Sequence, residues 1–234
     1  MKSRLDMKTH HSFFKTFLLI LLFTACSPSK KERLDEQPRR VELLFLGHEL
    51  EHHNSREYFP ILASSLTKDG INITYTEKLS DLNEKNLELY DGLIIYANHE
   101  EIGNNEEEAL LNFVKEGKAF IPIHSASFCF KNSLEYINLV GAQFMSHETG
   151  TFTAKIVDKE HPVTKDLLAF ETWDETYVHD KIADDIHVLM ERVEGDKSEP
   201  WTWVKEVGEG KVFYTAYGHD ERTWNNKGFQ ELIK

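Results

Sequence analysis

The sequence predicts an α/β protein with a doubly wound sheet and a β-rich C-terminal part. Three observations carry this prediction. Between residues 41 and 141, apolar runs of strand length alternate with runs of helix length, as in sheets whose parallel strands are joined by helices. Each apolar run ends in polar residues, which is typical of strands that reach the binding edge of such a sheet. From Thr149 onward, the pattern changes to short strand-like runs.

The first 40 residues are expected to lie outside this fold. A basic start precedes the apolar run Phe17–Phe23, which is too short to span a bilayer but suits the core of a signal peptide. Thr24-Ala25-Cys26 resembles a bacterial lipobox. We therefore expect a lipoprotein signal peptide at residues 1–25, lipidation of Cys26, a tether at 26–40 and a domain at 41–234. A plain signal peptide or a membrane anchor is the alternative.

The first half of the domain begins with a buried strand, Val41–Leu46. A helix is expected from about Tyr58 to Lys68, with Pro60 tolerated in its first turn and Gly70 as its stop. The alternating run Ile71–Thr76 then predicts a second strand.

The next elements lead to the turn on which the rest of the chain is centred. Leu93–Ala97 reads as a strand and Asn104–Glu116 as a helix. Ala119–Ile123 is a further strand that ends at His124, and small residues then lead into an amphipathic stretch that ends near Gly141. We expect strand, sharp turn and helix, with His124 at the tip of the turn.

The C-terminal part is predicted to add strands and one helix. Four runs have strand character: Thr151–Val157, Val188–Val193, Trp201–Val207 and Lys211–Tyr217. Gly228–Lys234 looks like the opening of a helix that is cut short, so we expect the last helix to be truncated.

The charge of the chain disfavours one class of partner. A net charge of −13 disfavours nucleic acid as a partner, because phosphate backbones would be repelled.

If Cys26 is acylated, Cys129 is the one remaining thiol. Its place after the turn allows a nucleophile, but a small buried residue is the preferred interpretation. The chain has no glycine-rich pattern for NAD or a P-loop after its first strand.

Histidines are the strongest functional signal. Six of the 12 follow predicted strands: His48, His52, His53, His99, His124 and His219. Because the ends of parallel strands meet at one edge of a sheet, we expect a shared pocket there, although each residue alone could be an ordinary loop histidine. Imidazoles and carboxylates at loop tips are also suitable ligands for a divalent metal, with His48, His53, His124 and His219 as the candidates.

Later residues add carboxylates and aromatic rings. His147 lies in a loop, and Asp174, Glu175 and Tyr177 follow a tryptophan, a combination that suits the hydroxyls and CH faces of a sugar. An acidic turn beside a core tryptophan is the alternative. A serine hydrolase would use Ser125 or Ser127, but the chain lacks the G-x-S-x-G pattern at this turn.

The domain resembles the ThuA-like, or trehalose-utilisation, family. The matching features are the histidine-bearing loop Gly47–Arg56, the turn Gly117–His124, Gly141–Phe144 followed by His147, His161–Val163, Asp174–Tyr177, and Gly210–Tyr214 leading to Gly218–Asp220. The resemblance implies a flavodoxin-like core, similar to class I glutamine amidotransferases, and a link to carbohydrate metabolism. Those relatives carry a nucleophilic cysteine at the turn where this chain has His124, so glutaminase activity is not expected.

Two classes of function follow from the resemblance. The first is an envelope-anchored domain that binds a small carbohydrate and transforms a sugar or keto-sugar. The second is a non-catalytic carbohydrate-binding module that partners a sugar dehydrogenase or a cytochrome-type domain; a metal-dependent hydrolase is a third hypothesis. The expected roles are acid/base catalysis for His124 and His219 and substrate or metal binding for His48, His53 and His147. Asp174 and Glu175 are expected to accept sugar hydroxyls or to orient a histidine, and Tyr177 to bind the substrate.

Overall fold

A large mixed sheet forms the centre of the structure, a computed structural model that describes residues 39–234. The described strands are β1 (Val41–Gly47), β2 (Ile71–Thr76), β3 (Gly92–Tyr96), β4 (Ala119–Pro122), β5 (Gln143–Ser146), β6 (Thr149–Thr153), β7 (Lys155–Ile156), β8 (Glu171–Glu175), β9 (Val178–Asp180), β10 (His187–Glu194), β11 (Lys197–Val207) and β12 (Gly210–Thr215). The predicted signal peptide, Cys26 and the tether up to residue 38 lie outside the described residues.

The central sheet has eight strands in the order β2-β1-β3-β4-β12-β11-β10-β7. The first five run parallel, and β11, β10 and β7 continue the sheet in antiparallel fashion. Two-stranded ribbons, β5 with β9 and β6 with β8, lie outside this sheet. The predicted α/β fold class with a β-rich C-terminal part is confirmed.

Helices pack in two groups against the sheet. They are α1 (Ser55–Leu66), α2 (Glu84–Leu87), α3 (Asn104–Lys115), α4 (Leu134–Val140), α5 (Glu221–Trp224) and α6 (Lys227–Ile233). Helix α1 packs on β1 and β2 and contacts α5 and α6, whereas α3 contacts α2, α4 and β12. No described helix is long and apolar enough to cross a membrane.

The core explains why these segments form these elements. All five residues of β3 are buried, as expected for a central parallel strand that is covered on both faces. Leu62 and Leu66 of α1 and Leu110 and Val114 of α3 are buried one turn apart, so each helix presents one apolar stripe to the core. Helix α1 starts at Asn54, whose side chain accepts a hydrogen bond from the backbone of Glu57.

The segment after β4 differs from the prediction. A 3₁₀ turn, His124–Phe128, follows the strand, and α4 begins only at Leu134. His124 and Phe130 adopt left-handed backbone angles, with φ of 49° and 52°, and these interrupt a continuous helix. The helix does end at Gly141, which has φ of 96°.

Strands β5, β8 and β9 were not expected from the sequence. They lie in two-stranded ribbons outside the main sheet, and their burial does not alternate cleanly. In β8, Asp174 and Glu175 are adjacent and both buried, so a strand carries the carboxylates and the alternative of an acidic turn is wrong.

Candidate functional site

Loops and strand ends bring together four side chains that could each offer one ligand atom to a metal ion. His53 follows β1, His124 follows β4, His219 follows β12 and Glu175 ends β8. One nitrogen or oxygen atom from each lies within 4.8 Å of those from the other three. We call these four residues the Glu175 cluster.

The carboxylate of Glu175 lies at the centre of the cluster. Its Oε2 is 3.2 Å from His124 Nε2, and its Oε1 is 3.2 Å from His219 Nδ1. His53 Nε2 is 3.3 Å from His219 Nδ1 and 3.8 Å from Glu175 Oε2. The carboxylate therefore faces three imidazoles through ring nitrogens, with little room for anything larger than a single ion among them.

The outward nitrogens of two imidazoles are already engaged. His124 Nδ1–H donates to the carbonyl of Ala216 at 2.7 Å. His53 Nδ1–H donates to Asn98 Oδ1 at 3.0 Å. These bonds fix each ring so that its Nε2 points inward, which is how proteins orient metal-binding histidines.

The contact between His124 and Glu175 favours a cation between the two groups. Although burial opposes it, the surrounding imidazoles hold the pKa of Glu175 well below its usual range. Burial lowers the pKa of His124 to about 4, so this ring is neutral at pH 7. Since its hydrogen is on Nδ1, the lone pair of Nε2 faces an ionised oxygen 3.2 Å away. Two electron-rich atoms at this distance repel unless a proton or metal ion lies between them.

His219 differs from His124 in its protonation. Burial would lower its pKa, but the hydrogen bond and charge of Glu175 outweigh this and raise the pKa of His219 above its ordinary value. In the absence of a metal, His219 therefore binds a proton more readily than His124 does.

Asp174 holds the loop that carries His219. Its carboxylate accepts hydrogen bonds from the backbone of Glu175, Gly218 and His219 and from the hydroxyl of Thr223. It is fully buried, and burial raises the pKa of Asp174 to about 6 against these four bonds. Asp174 thus has one of its two expected roles, the orientation of a histidine, and with these four bonds made it is not placed to bind sugar hydroxyls.

Tyr177 is also placed differently from the expectation. Its ring is 2% exposed and stacks on His124, with ring centroids 4.2 Å apart. It covers one face of His124 and offers little surface to a substrate.

His147 is the accessible imidazole at the edge of the cluster. Its Nε2 is 3.5 Å from Glu175 Oε1, and 39% of its side chain is exposed. Nδ1–H donates to the carbonyl of Glu148 at 3.3 Å, which leaves Nε2 to accept a proton. By contrast, His124 has no exposed surface, so it is poorly placed to exchange a proton with a substrate.

The remaining strand-end histidines do not join the cluster. His48 and His99 stack on each other, with centroids 4.0 Å apart, and do not share the carboxylate. His52 is exposed. The edge of the sheet thus gathers the histidines as expected, but His48 is not among the four candidate metal ligands that the structure brings together.

Nucleophile hypotheses lose their support. Ser125 Oγ is buried without a hydrogen-bond partner, and Ser127 Oγ donates to the carbonyl of His124 rather than to a ring nitrogen. The thiol of Cys129 is buried and donates to the carbonyl of Ala97 at 2.9 Å, and burial raises its pKa. Neither hydroxyl is paired with a base, and the thiol remains protonated.

Sequence reasoning missed the residues that support the cluster. The carbonyl of Ala216 leaves no sequence signal because any residue supplies one. Asn98 was visible only as one of several polar residues after β3, and its role depends on its contact with His53 across 45 positions of sequence. Tyr214, which lies under the His124 turn, looked like an ordinary residue of a predicted strand, and its partner His179 lies in β9, which was not expected.

Comparisons with known proteins agree with the family resemblance and with the fold. The trehalose-utilisation (ThuA) family matches residues 42–234. A ThuA-like protein from Bacteroides uniformis is similar over 84% of this chain and 89% of its own, with a TM-score of 0.72 and 18% identity. A ThuA-like protein from Parabacteroides merdae is similar over 83% of this chain and 88% of its own, with a TM-score of 0.70 and 16% identity. A β-galactosidase from Bacillus circulans sp. alkalophilus shares the fold over 82% of this chain and 30% of its own, with a TM-score of 0.56 and 14% identity. No curated protein matches the chain.

Proposed function

The chain belongs to the trehalose-utilisation (ThuA) family, and from this we propose that it binds a sugar or keto-sugar beside the Glu175 cluster and transforms it with the help of a divalent metal. Family membership supports the sugar. The observation that carries the proposal is the convergence of three imidazole nitrogens and one carboxylate within 4.8 Å.

The ligand set suits a first-row divalent ion of the zinc type. Imidazole and carboxylate ligands favour zinc, iron or manganese over calcium or magnesium. Ligand atoms about 2.0–2.1 Å from one zinc ion lie about 3.3–3.4 Å apart in a tetrahedron. Three contacts within the cluster, at 3.2, 3.2 and 3.3 Å, are close to that spacing, but the two to Glu175 use different carboxylate oxygens. One ligand atom from each residue lies within the wider limit of 4.8 Å, so the side chains would have to move closer around an ion. When bound, such an ion would polarise a substrate carbonyl oxygen.

His147 is the proposed acid/base residue. As a ligand through Nε2, His124 would have no free nitrogen, because its Nδ1–H donates to Ala216. His147 is more exposed than His219, with 39% against 16% of the side chain accessible, and its Nε2 borders the cluster. In a keto-sugar, Nε2 takes the proton from the carbon next to the carbonyl, and the C–H electron pair forms a C=C bond while the carbonyl π electrons move to oxygen. The neighbouring hydroxyl proton then moves to that oxygen, and His147 returns its proton to the other carbon. This isomerisation consumes no oxidant and no water.

Deuterium incorporation tests this step. Keto-sugars, prepared by oxidising glucosides, are incubated with the protein in D₂O, and loss of the C–H signal beside the carbonyl is followed by NMR. We expect exchange with wild type and a loss of about 10²–10⁴-fold in His147→Gln, with binding retained. His48→Gln is the matched control and should exchange normally.

The outcome also separates the other functions. Binding of keto-sugars without exchange would contradict the proposed chemistry and favour a non-catalytic module. Cleavage of a glycosidic bond without prior exchange would instead favour a metal-dependent hydrolase.

We also propose that Cys26 anchors the protein to the bacterial envelope. The basic start, the apolar core and the lipobox-like Thr24-Ala25-Cys26 support this location. A lipid on Cys26 would leave the domain in solution at the membrane surface, where small sugars reach it directly.

A further inference from the structure

A buried polar chain lies directly under the turn that presents His124. The hydroxyl of Tyr214 is 3.1 Å from the carbonyl oxygen of His124, 3.0 Å from Ser127 Oγ and 3.0 Å from His179 Nε2. The other ring nitrogen of His179 is 3.3 Å from Glu199 Oε1, which also accepts the backbone N–H of His179 at 2.8 Å. The proposed chemistry uses none of these groups.

This series of hydrogen-bonded groups ends at the backbone carbonyl of His124. A carbonyl only accepts hydrogen bonds, and the two hydroxyls in reach of it belong to Tyr214 and Ser127. The ring of Tyr214 is held in place by Trp203, which stacks on it with centroids 4.2 Å apart. Tyr214 is completely buried, so water cannot replace its hydroxyl.

The His124 turn needs such support. Its φ of 49° lies in the left-handed region, which is unfavourable for a residue with a Cβ atom. The turn packs closely against Gly218, because a Cβ added at that glycine would lie only 3.0 Å from the Cβ of His124. A small rotation of this backbone would move Nε2 away from Glu175.

We propose that Tyr214, held by His179, is a positioning residue that fixes the His124 turn so that Nε2 of His124 stays directed at Glu175. The effect acts through the backbone of His124 and not through contact with the substrate. The proposal rests on the geometry of the Glu175 cluster. Of the two measurements that test it, only zinc affinity also depends on the proposed metal.

The test compares Tyr214→Phe with a matched control, Tyr217→Phe. Tyr217 is also buried, and its hydroxyl accepts a hydrogen bond from the backbone of Ala154, away from the turn. The first readout is the ¹⁵N NMR signal of the His124 ring in metal-free protein, assigned with His124→Gln. The second is the zinc dissociation constant, from competition with a chromophoric chelator.

Tyr214→Phe is expected to shift the His124 ring signals and to weaken zinc binding by about tenfold, the lower end of the range for residues that support metal ligands. Tyr217→Phe should leave both unchanged even if its melting temperature falls. Ser127→Ala, which removes the other donor to the same carbonyl, should change both readouts in the same direction and serves if Tyr214→Phe does not fold.

Unchanged His124 signals in Tyr214→Phe, or equal changes in Tyr217→Phe, would overturn the proposal. If wild type binds no zinc, the proposed metal fails alone, and the His124 ring signals still decide whether Tyr214 positions the turn.

Discussion

Single residues in this protein owe their chemistry to burial and to fixed partners. His124 is an example: a carbonyl takes its Nδ1–H, an aromatic ring covers one face, and a carboxylate lies before Nε2. Asp174 shows the same principle, because four donors fix its carboxylate and thereby the loop of His219. A buried carboxylate lowers stability unless donors pair with it, so the four donors to Asp174 offset the cost of its burial.

The stacked pair of His48 and His99 makes the stability depend on pH. Burial lowers the pKa of His99 to about 4 from 6.5 and also lowers the pKa of His48. The unfolded chain therefore binds more protons than the folded one between these pH values, and stability falls as the pH drops from about 6.5 towards 4.

His99→Phe tests this dependence. Phenylalanine keeps a flat ring between His48 and Phe130 but cannot be protonated. Urea unfolding at pH 7 and at pH 5 should show a smaller loss of stability on acidification in the variant than in wild type. An identical loss in both proteins would assign the acid sensitivity to other groups.

At the scale of elements, the connection after β12 determines how closely His219 approaches the cluster. Gly218 has φ of 138°, its N–H donates to Asp174, and its carbonyl accepts from Tyr96 and Trp224. A Cβ at this position would meet His124 Cβ at 3.0 Å and Ile123 Cγ2 at 3.1 Å. The loop is therefore fixed by three hydrogen bonds and by the absence of a side chain.

Gly218→Ala should lower the free energy of unfolding by about 1–3 kcal/mol, because alanine is strained at the positive φ of this position. It should also weaken zinc binding, because the added Cβ would push against the Cβ of His124. Gly210→Ala is the matched control: its Cβ would meet the carbonyl oxygen of Val114 at 1.9 Å, far along β12 from the cluster. Thermal unfolding and zinc titration are measured for both. Zinc affinity that falls equally in the two variants would show that general destabilisation is responsible.

The sequence allowed the elements to be predicted where a physical rule links residue pattern to geometry. Polar residues after β1, β4 and β12 indicated the shared edge that holds His53, His124 and His219, because parallel strands place their ends together. Strand β8 escaped prediction because its buried residues include Asp174 and Glu175, which an apolar pattern does not reveal. The 3₁₀ turn after β4 was also unforeseen, since a positive φ at a histidine has no signature in sequence.

At the scale of the whole molecule, an acidic sheet domain carries one carboxylate shared by several imidazoles. The net charge of −13 predicts that polyanions are repelled, while the residues of the local cluster could hold a cation. The parallel half of the sheet supplies the histidines, and the ribbon strand β8 supplies Glu175, so the site forms only when both parts are folded.

The envelope location is tested by fractionation of a bacterial host. We expect wild-type protein in the membrane fraction with a lipid on Cys26, and Cys26→Ser in the soluble fraction, because the apolar run Phe17–Phe23 is too short to span a bilayer. Membrane retention of Cys26→Ser would favour a membrane anchor instead.

The central claim is that the Glu175 cluster binds a divalent metal, and the most direct measurement is metal content combined with zinc titration of the purified protein. Wild type should hold about one equivalent of a zinc-type ion, and His124→Ala and Glu175→Gln should lose it. His48→Ala should keep it, because His48 stacks on His99 outside the cluster. No bound metal and no zinc affinity in wild type, or an equal loss in His48→Ala, would contradict the claim.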